Sequence, residues 1–160
     1  MANALATDQI VALVKGNKKV SRKFMGVFGA DEIPRQIPPN HYLIANCCPI
    51  HMPGIHWVGL YGSSSEIVEL FDSTGSHPSM YSHLKLPKTC RVIRYNPRQI
   101  QGTLSNTCGH FCLLYLLCKS GGKSMKYMIN HFFPLGQTLT ENDSIVLQLM
   151  RVYYPSPLFL

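Results

Sequence analysis

Acidic residues are scarce in this sequence: eight Asp and Glu stand against fifteen Lys and Arg, for a net charge of +7. That balance favours an acidic partner such as nucleic acid over a basic one. Charge of either sign is thin. Only 14% of residues are charged while 46% are apolar, which excludes a disordered chain and predicts one real core. Long apolar runs are absent too; none approaches the roughly 18 residues that a membrane-spanning helix requires. Met1 to Lys15 lacks the basic-then-apolar order of a secretory signal, so the six cysteines are expected to be free thiols and not a disulfide framework. No C-x2-C pair occurs. Cys47-Cys48-x-x-His51 followed by His56 offers ligand types without the two separated pairs of a structural zinc site, and no metal is expected. Repeats, low-complexity runs and linkers are missing, so residues 1–160 read as a single domain. No aromatic-interleaved pattern for base stacking is visible, which argues against sequence-specific reading of nucleic acid.

What is present falls into short strands in the middle and helices at both ends. Asn3 to Val14 carries a weak helical period that Gly16-Asn17 ends. Phe24 to Phe28 is a short apolar segment, and Asp31 to Asn40, with three prolines, is a loop. Strands are expected at Tyr42–Asn46, Ile55–Tyr61, Ile67–Phe71 and Cys90–Tyr95, with a loop over Cys47–Gly54 and a hairpin at Gly62-Ser63-Ser64-Ser65. Ser79 to Leu84 suggests a short helix. Ser124 to Phe133 is a helix stopped by Pro134, and the capping pattern at Thr138 precedes a third helix over Asn142–Tyr153. The class is α+β: a central, mostly antiparallel sheet flanked by helices. The basic residues form two groups, Lys15, Lys18, Lys19, Arg22 and Lys23, then Lys85, Lys88, Arg91, Arg94 and Arg98. Either group suits a phosphate backbone or a plain solvated face, and the first also suits a nuclear-import signal.

The stretch Gln99 to Cys118 carries the chemistry. Its first half is polar and its second half, from Phe111, is almost wholly apolar. Asn106 and Thr107 are residue types that cap a helix start, so Cys108 is expected in the first turn of a buried helix. There the free N–H groups and the helix dipole favour a thiolate. Gly109 leaves a substrate backbone room to approach. Taken singly, such a cysteine is an ordinary small core residue; what changes its reading is its company. A thiol nucleophile needs a base, and the base an orienting acceptor. His56 suits the base, with Asp72 as acceptor and Glu69 as the competing carboxylate. In an antiparallel pair two residues share a face only when their numbers sum to the parity of the facing pairs. His56 and Asp72 have an even sum, and a four-residue loop at Gly62–Ser65 would give an odd one. A bulge or a longer loop is therefore predicted. Gln101 precedes the cysteine and can aim its amide at a developing oxyanion beside the Cys108 N–H.

Together, Gly54-Ile-His-Trp57, Leu70-Phe-Asp-Ser-Thr-Gly75 and Gln101-Gly-x-x-Ser-x-x-Cys-Gly-x-Phe-Cys112 resemble the adenovirus maturation protease (adenain) family. That family belongs to the clan that includes the SUMO and other ubiquitin-like-protein proteases. Six residues separate Gln101 from Cys108, as in adenain, and Thr107 stands where the SUMO proteases carry Asp. Phe24-Met-Gly-Val-Phe28 followed by Pro34 is similar to adenain's N-terminal segment. The resemblance runs from Phe24 to Leu117; the last third carries none. It implies His56 as general base, Cys108 as nucleophile and Gln101 as oxyanion donor. The acid departs from the pattern, being Asp72 where adenain has Glu. Trp57 and Phe28 would narrow a substrate channel. The resemblance further implies viral capsid and core precursor proteins as substrates, cleaved near glycines, and a location in the virion and the host nucleus, with no membrane. It also implies DNA stimulation through the basic surface and activation by a short viral peptide, disulfide-linked to the cysteine at position 90. Two alternatives share these residues: an isopeptidase acting on a ubiquitin-like modifier, and a catalytically dead DNA-binding structural protein.

Overall fold

A computed structural model describes residues 3–49, 51 and 56–159. Strands β1 (Phe24–Phe28), β2 (Tyr42–Asn46), β3 (Trp57–Gly62), β4 (Ile67–Phe71) and β5 (Val92–Tyr95) form one sheet in sequence order. Helices α1 (Thr7–Gly16) and α2 (Lys18–Ser21) precede it, and α3 (Cys108–Ser120), α4 (Met125–Phe132) and α5 (Leu139–Tyr153) follow. Short 3-10 turns lie at Pro78–Met80 and Pro157–Phe159. Among the described residues no helix is long and apolar enough to cross a membrane.

The α+β class is as expected, but the sheet is mixed. Only β2–β3 and β3–β4 run antiparallel; β1–β2 and β4–β5 are parallel. The cause is the length of the connections. The proline-rich 29–41 segment and the 72–91 segment each carry the chain back to the end at which the preceding strand began, which a tight hairpin cannot do.

Period-two alternation sorts the side chains onto two faces. Tyr42, Ile44 and Phe71 join α1, α3, α4 and α5 in the larger core cluster. Leu43, Ala45, Val58, Leu60, Val68 and Leu70 face the other way, covered by Ile33, Ile37, Tyr81, Leu84 and Leu86 from irregular segments. Helix α3 is the axle of the helical face, with Phe111 to Leu116 all buried. It sits close because position 59 is glycine: a Cβ there would come within 2.6 Å of the Tyr115 ring. That ring stacks on Phe71 at 4.8 Å.

Ends of elements follow the local chemistry. Thr138 and Glu141 form a reciprocal capping box that starts α5 before the expected Asn142, and Ser124 Oγ caps α4. The expected helix over Ser79–Leu84 shrinks to the turn at Pro78–Met80. Strand β1 is irregular at Gly26, whose φ of 135° only glycine adopts freely.

Candidate active site

Three segments meet at one end of the sheet. The first is the residue that enters β3. His56 lies just outside the strand and not within it, although its carbonyl still accepts from Cys47 N–H at 3.0 Å. Gly54 and Ile55, which precede it in the motif, lie outside the described residues. The second is Asp72, the residue that follows β4. Facing pairs here run Gly62–Val68, Tyr61–Glu69, Leu60–Leu70 and Gly59–Phe71, an even register. The even register goes with an irregular turn between Gly62 and Ile67, where the N–H groups of both Ser63 and Ser64 donate to Ile67 O, at 2.9 and 3.3 Å. His56 and Asp72 thus share parity but lie one diagonal step off direct opposition, and His56 Nε2 is 2.7 Å from Asp72 Oδ1.

The third segment is the start of α3. Cys108 is its first residue and is buried. Its thiol and the His56 ring line one cleft, and the ring is the hydrogen-bonding and charge partner that lowers the thiol. Since Nε2 is engaged by Asp72, that leaves Nδ1 for sulfur. Burial opposes charge on both groups, but their mutual hydrogen bond and attraction win. Cys108 is held below the ordinary thiol value, helped by the backbone N–H groups of Trp57 and Gly109. His56 is pushed up to about 9 against the effect of its burial, by hydrogen bonds to Asp72 and Cys108 and by their charges. Asp72 is likewise held low despite burial, by His56, Tyr81 and the Thr74 N–H. Both shifts favour a thiolate beside an imidazolium.

The other buried thiols show what Cys108 would be without these partners. Burial pushes Cys47 far up, Cys112 well up and Cys118 up to about 11. Cys112 lies one turn along the same helix. All six cysteines are free. Among the described residues no group of three or more His, Cys, Asp or Glu could hold a metal ion.

Gln101 is 4% exposed and fixed at both ends of its amide. Ser73 Oγ donates to Oε1 at 2.6 Å, and Nε2 donates to the Ser105 carbonyl at 2.8 Å. One Nε2 proton remains. A cleft of about 430 Å³ is lined by His56, Gln101, Cys108, Trp57 and Phe28, with Ala4 to Thr7 forming one wall. Trp57 is held by its Nε1–H on Leu5 O at 2.9 Å. Gly109 is buried away from this lining. A Cβ there would come within 3.2 Å of Trp57 and 3.3 Å of Leu5, so its smallness serves the packing of the wall and not a substrate backbone.

Other expected residues scatter. Glu69 points to the helical face, accepting from Tyr115 Oη at 2.8 Å and pairing with Lys119 at 3.0 Å. Cys90 precedes β5, half-buried, with Sγ 3.4 Å from Val92 O. Lys15, Lys18, Lys19, Arg22 and Lys23 are exposed on and beside α1 and α2, as are Lys85, Lys88 and Arg94. Arg91 pairs with Glu66 at 3.3 Å. Arg98 leaves the second basic group: its guanidinium turns inward to the carbonyls of Ile129, at 3.0 Å, and Phe133, at the end of α4.

Sequence reasoning did not find the supports of Asp72. Tyr81 Oη donates to Oδ2, Thr74 Oγ1 lies 2.9 Å from both carboxylate oxygens, and Asn96 takes the Asp72 backbone from both sides. Thr74 had a signal, since Asp-x-Thr is a local turn pattern; Tyr81 and Asn96 had none.

No family model matches the chain. It is 30% identical over 90 residues to a protein described as "Protease" from Snake adenovirus serotype 1. That stretch covers 47% of this chain and 45% of the relative, so the chain spans under half the length of the curated relative it matches. The central domain of the uncharacterized Lpg1148 protein from Legionella pneumophila aligns over 94% of this chain and 99% of that one, at 17% identity and a TM-score of 0.47. Over part of its length, then, the chain is similar in sequence to an adenovirus protease.

Proposed function

We propose that this chain is a viral or virus-derived cysteine endopeptidase of the adenovirus maturation type. One observation carries the reading: a buried thiol that opens a helix shares one cleft with an imidazole whose Nε2 lies 2.7 Å from a buried carboxylate. The partial similarity to a viral protease supports it. The Cys108 thiolate attacks a peptide carbonyl. The negative charge moves to the carbonyl oxygen, where the Cys108 N–H and the remaining Gln101 Nε2 proton stabilise it. His56 gives its proton to the leaving amine, and the C–N bond breaks to a thioester. The neutral imidazole then takes a proton from water, hydroxide adds to the thioester, and its collapse releases the carboxylic acid and the thiolate. Asp72 keeps the ring oriented throughout and stabilises its charged form.

Substrates are precursor proteins of the virion, entering as extended segments between Trp57 and Phe28. The exposed basic residues of α1 and α2 make DNA a second partner, and Cys90 is the attachment point for an activating peptide. The place of action is the host nucleus and the virion.

The test is turnover of a Gly-Gly-containing fluorogenic peptide by wild type and by Cys108→Ala, with and without double-stranded DNA at low and high salt. Turnover that disappears in the variant and rises with DNA only at low salt is the expected result. Cys108-dependent turnover indifferent to DNA removes the DNA part alone. Cleavage of a ubiquitin-like fusion but not of the peptide points instead to an isopeptidase. No turnover in any condition, with Cys90 free or derivatised, overturns the reading.

A further inference from the structure

We infer that Asp143, on α5, is a positioning residue for the oxyanion site: it holds the 102–107 loop in the shape that aims the Gln101 amide. The inference rests on the protease reading of the site. Asp143 lies far along the chain from that loop, yet three of its residues converge on the one carboxylate. Thr107 Oγ1 donates to Oδ1 at 2.7 Å, and the Gly102 N–H lies 3.3 and 3.2 Å from the two oxygens. Ser105 Oγ is 3.2 Å from Oδ1 and 2.9 Å from Thr107 Oγ1, so its single proton serves one or the other. The neighbouring Asn142 adds a second tie, donating Nδ2 to Ile100 O at 3.0 Å. Two successive residues of one helix therefore hold both flanks of Gln101.

The tie reaches the chemistry through two routes. The Ser105 carbonyl is what Gln101 Nε2 donates to, and with Ser73 Oγ on Oε1 it decides which way the amide points. Released, the loop lets that amide rotate and spend its second proton elsewhere. The other route runs through Thr107. This residue occupies the N-cap position of α3, but its side chain makes no cap hydrogen bond there and turns its proton to Asp143. Thr107 is thus a tie between α5 and the loop that leads into α3, and not a helix cap. Gly102 fits the same account, since a Cβ at that position would land on Asp143 Oδ2.

The experiment measures kcat and KM of Asp143→Ala on the fluorogenic peptide, per active site titrated with iodoacetamide, alone and in a Gln101→Ala background. An oxyanion support acts in the transition state, so kcat is expected to fall at least about tenfold with KM little changed. Cys108 alkylation should stay within about threefold of wild type, because the His56–Asp72 pair is untouched. In the Gln101→Ala background the same substitution should cost little, the non-additivity that marks two residues acting as one unit. A purely structural residue would lower the melting temperature and the number of titrated sites, leaving kcat per site alone. Thr107→Val, which removes one donor, gives a smaller drop of the same kind and serves if Asp143→Ala does not fold. An unchanged kcat per site, or fully additive losses with Gln101→Ala, overturns the inference while leaving the protease reading intact. Wild type without Cys108-dependent turnover overturns both.

Discussion

Two buried carboxylates, Glu69 within β4 and Asp72 just after its end, do different work. Glu69 and Asp72 each accept from a tyrosine hydroxyl and each pair with a cation. Glu69 faces the helices from within β4, whereas Asp72 lies beyond the end of the strand. Glu69 meets Lys119, whose ammonium also lies 3.8 Å over the Tyr61 ring. Among the described residues Lys119 makes no other ion pair. Asp72 meets His56, and the ring passes the effect of the charge to a thiol on its far side. A buried ion pair holds a fold in place; a buried ion pair with an imidazole in it also sets the charge of whatever the imidazole touches next.

Removing each carboxylate in turn should separate the two roles, in stability and in chemistry. Asp72→Ala takes away the orientation of His56 and the charge that raises it, and kcat per titrated site should fall by about 10²-fold or more. Glu69→Gln leaves Lys119 without its counter-charge under the sheet. It should cost about 3 kcal/mol in urea unfolding while kcat per folded molecule holds within about twofold. Equal catalytic losses from the two substitutions would mean that the strand, and not the individual carboxylate, is what matters.

The next test is pH. Cys108 is held below the ordinary thiol value of 9.0 and His56 is raised from 6.5 to about 9. The thiolate–imidazolium form therefore occupies the window between the lowered thiol and about 9. Turnover should fall on the acid side as the thiol protonates and on the basic side as His56 loses its proton near 9. Stability follows the same groups. The raised His56 adds stability that is fully present below 6.5 and lost as pH rises through about 9; the depressed Asp72 adds stability present above its ordinary value and lost as pH falls through its folded one. Asp72→Ala should bring the basic limb of alkylation and turnover down toward 6.5. A limb that stays near 9 would assign it to a group other than His56.

The same two carboxylates show how much could be read in advance. The parity of 56 and 72 was visible in the sequence, and it required an even register, which goes with the irregular turn between Gly62 and Ile67. The buried helix beginning at Cys108 was visible as a switch from polar to apolar composition. What was not visible is everything that depends on two distant segments meeting. Thr107 reads as a helix cap, but Asp143, 36 residues later, takes its hydroxyl. Arg98 reads as one of a basic group, but the carbonyls ending α4 take its guanidinium. Gly109 reads as clearance for a substrate, but Trp57 and Leu5 fill that space. In each case the residue type was read correctly and the partner supplied by the fold was missing from the reading.

The smallest expected effect tests the finest part of the comparison, the tyrosines. Tyr115 on Glu69 is fully buried and stacked on Phe71, so its hydroxyl is one part of a large packing contact. Tyr81 on Asp72 is half-buried, and its ring lies 6.3 Å from that of His56. Tyr81→Phe keeps the ring and removes one donor from a carboxylate that retains His56, the Thr74 hydroxyl and the N–H groups of Thr74 and Ser76. A carboxylate with one donor fewer attracts protons more strongly and competes harder for the imidazole proton. The loss should be about 1 kcal/mol of transition-state stabilisation, a roughly fivefold fall in kcat, with the melting temperature nearly unchanged. If Tyr81→Phe instead lowers stability and spares kcat, its hydroxyl is a structural tie like that of Tyr115, and the two ends of the strand are more alike than their cations suggest.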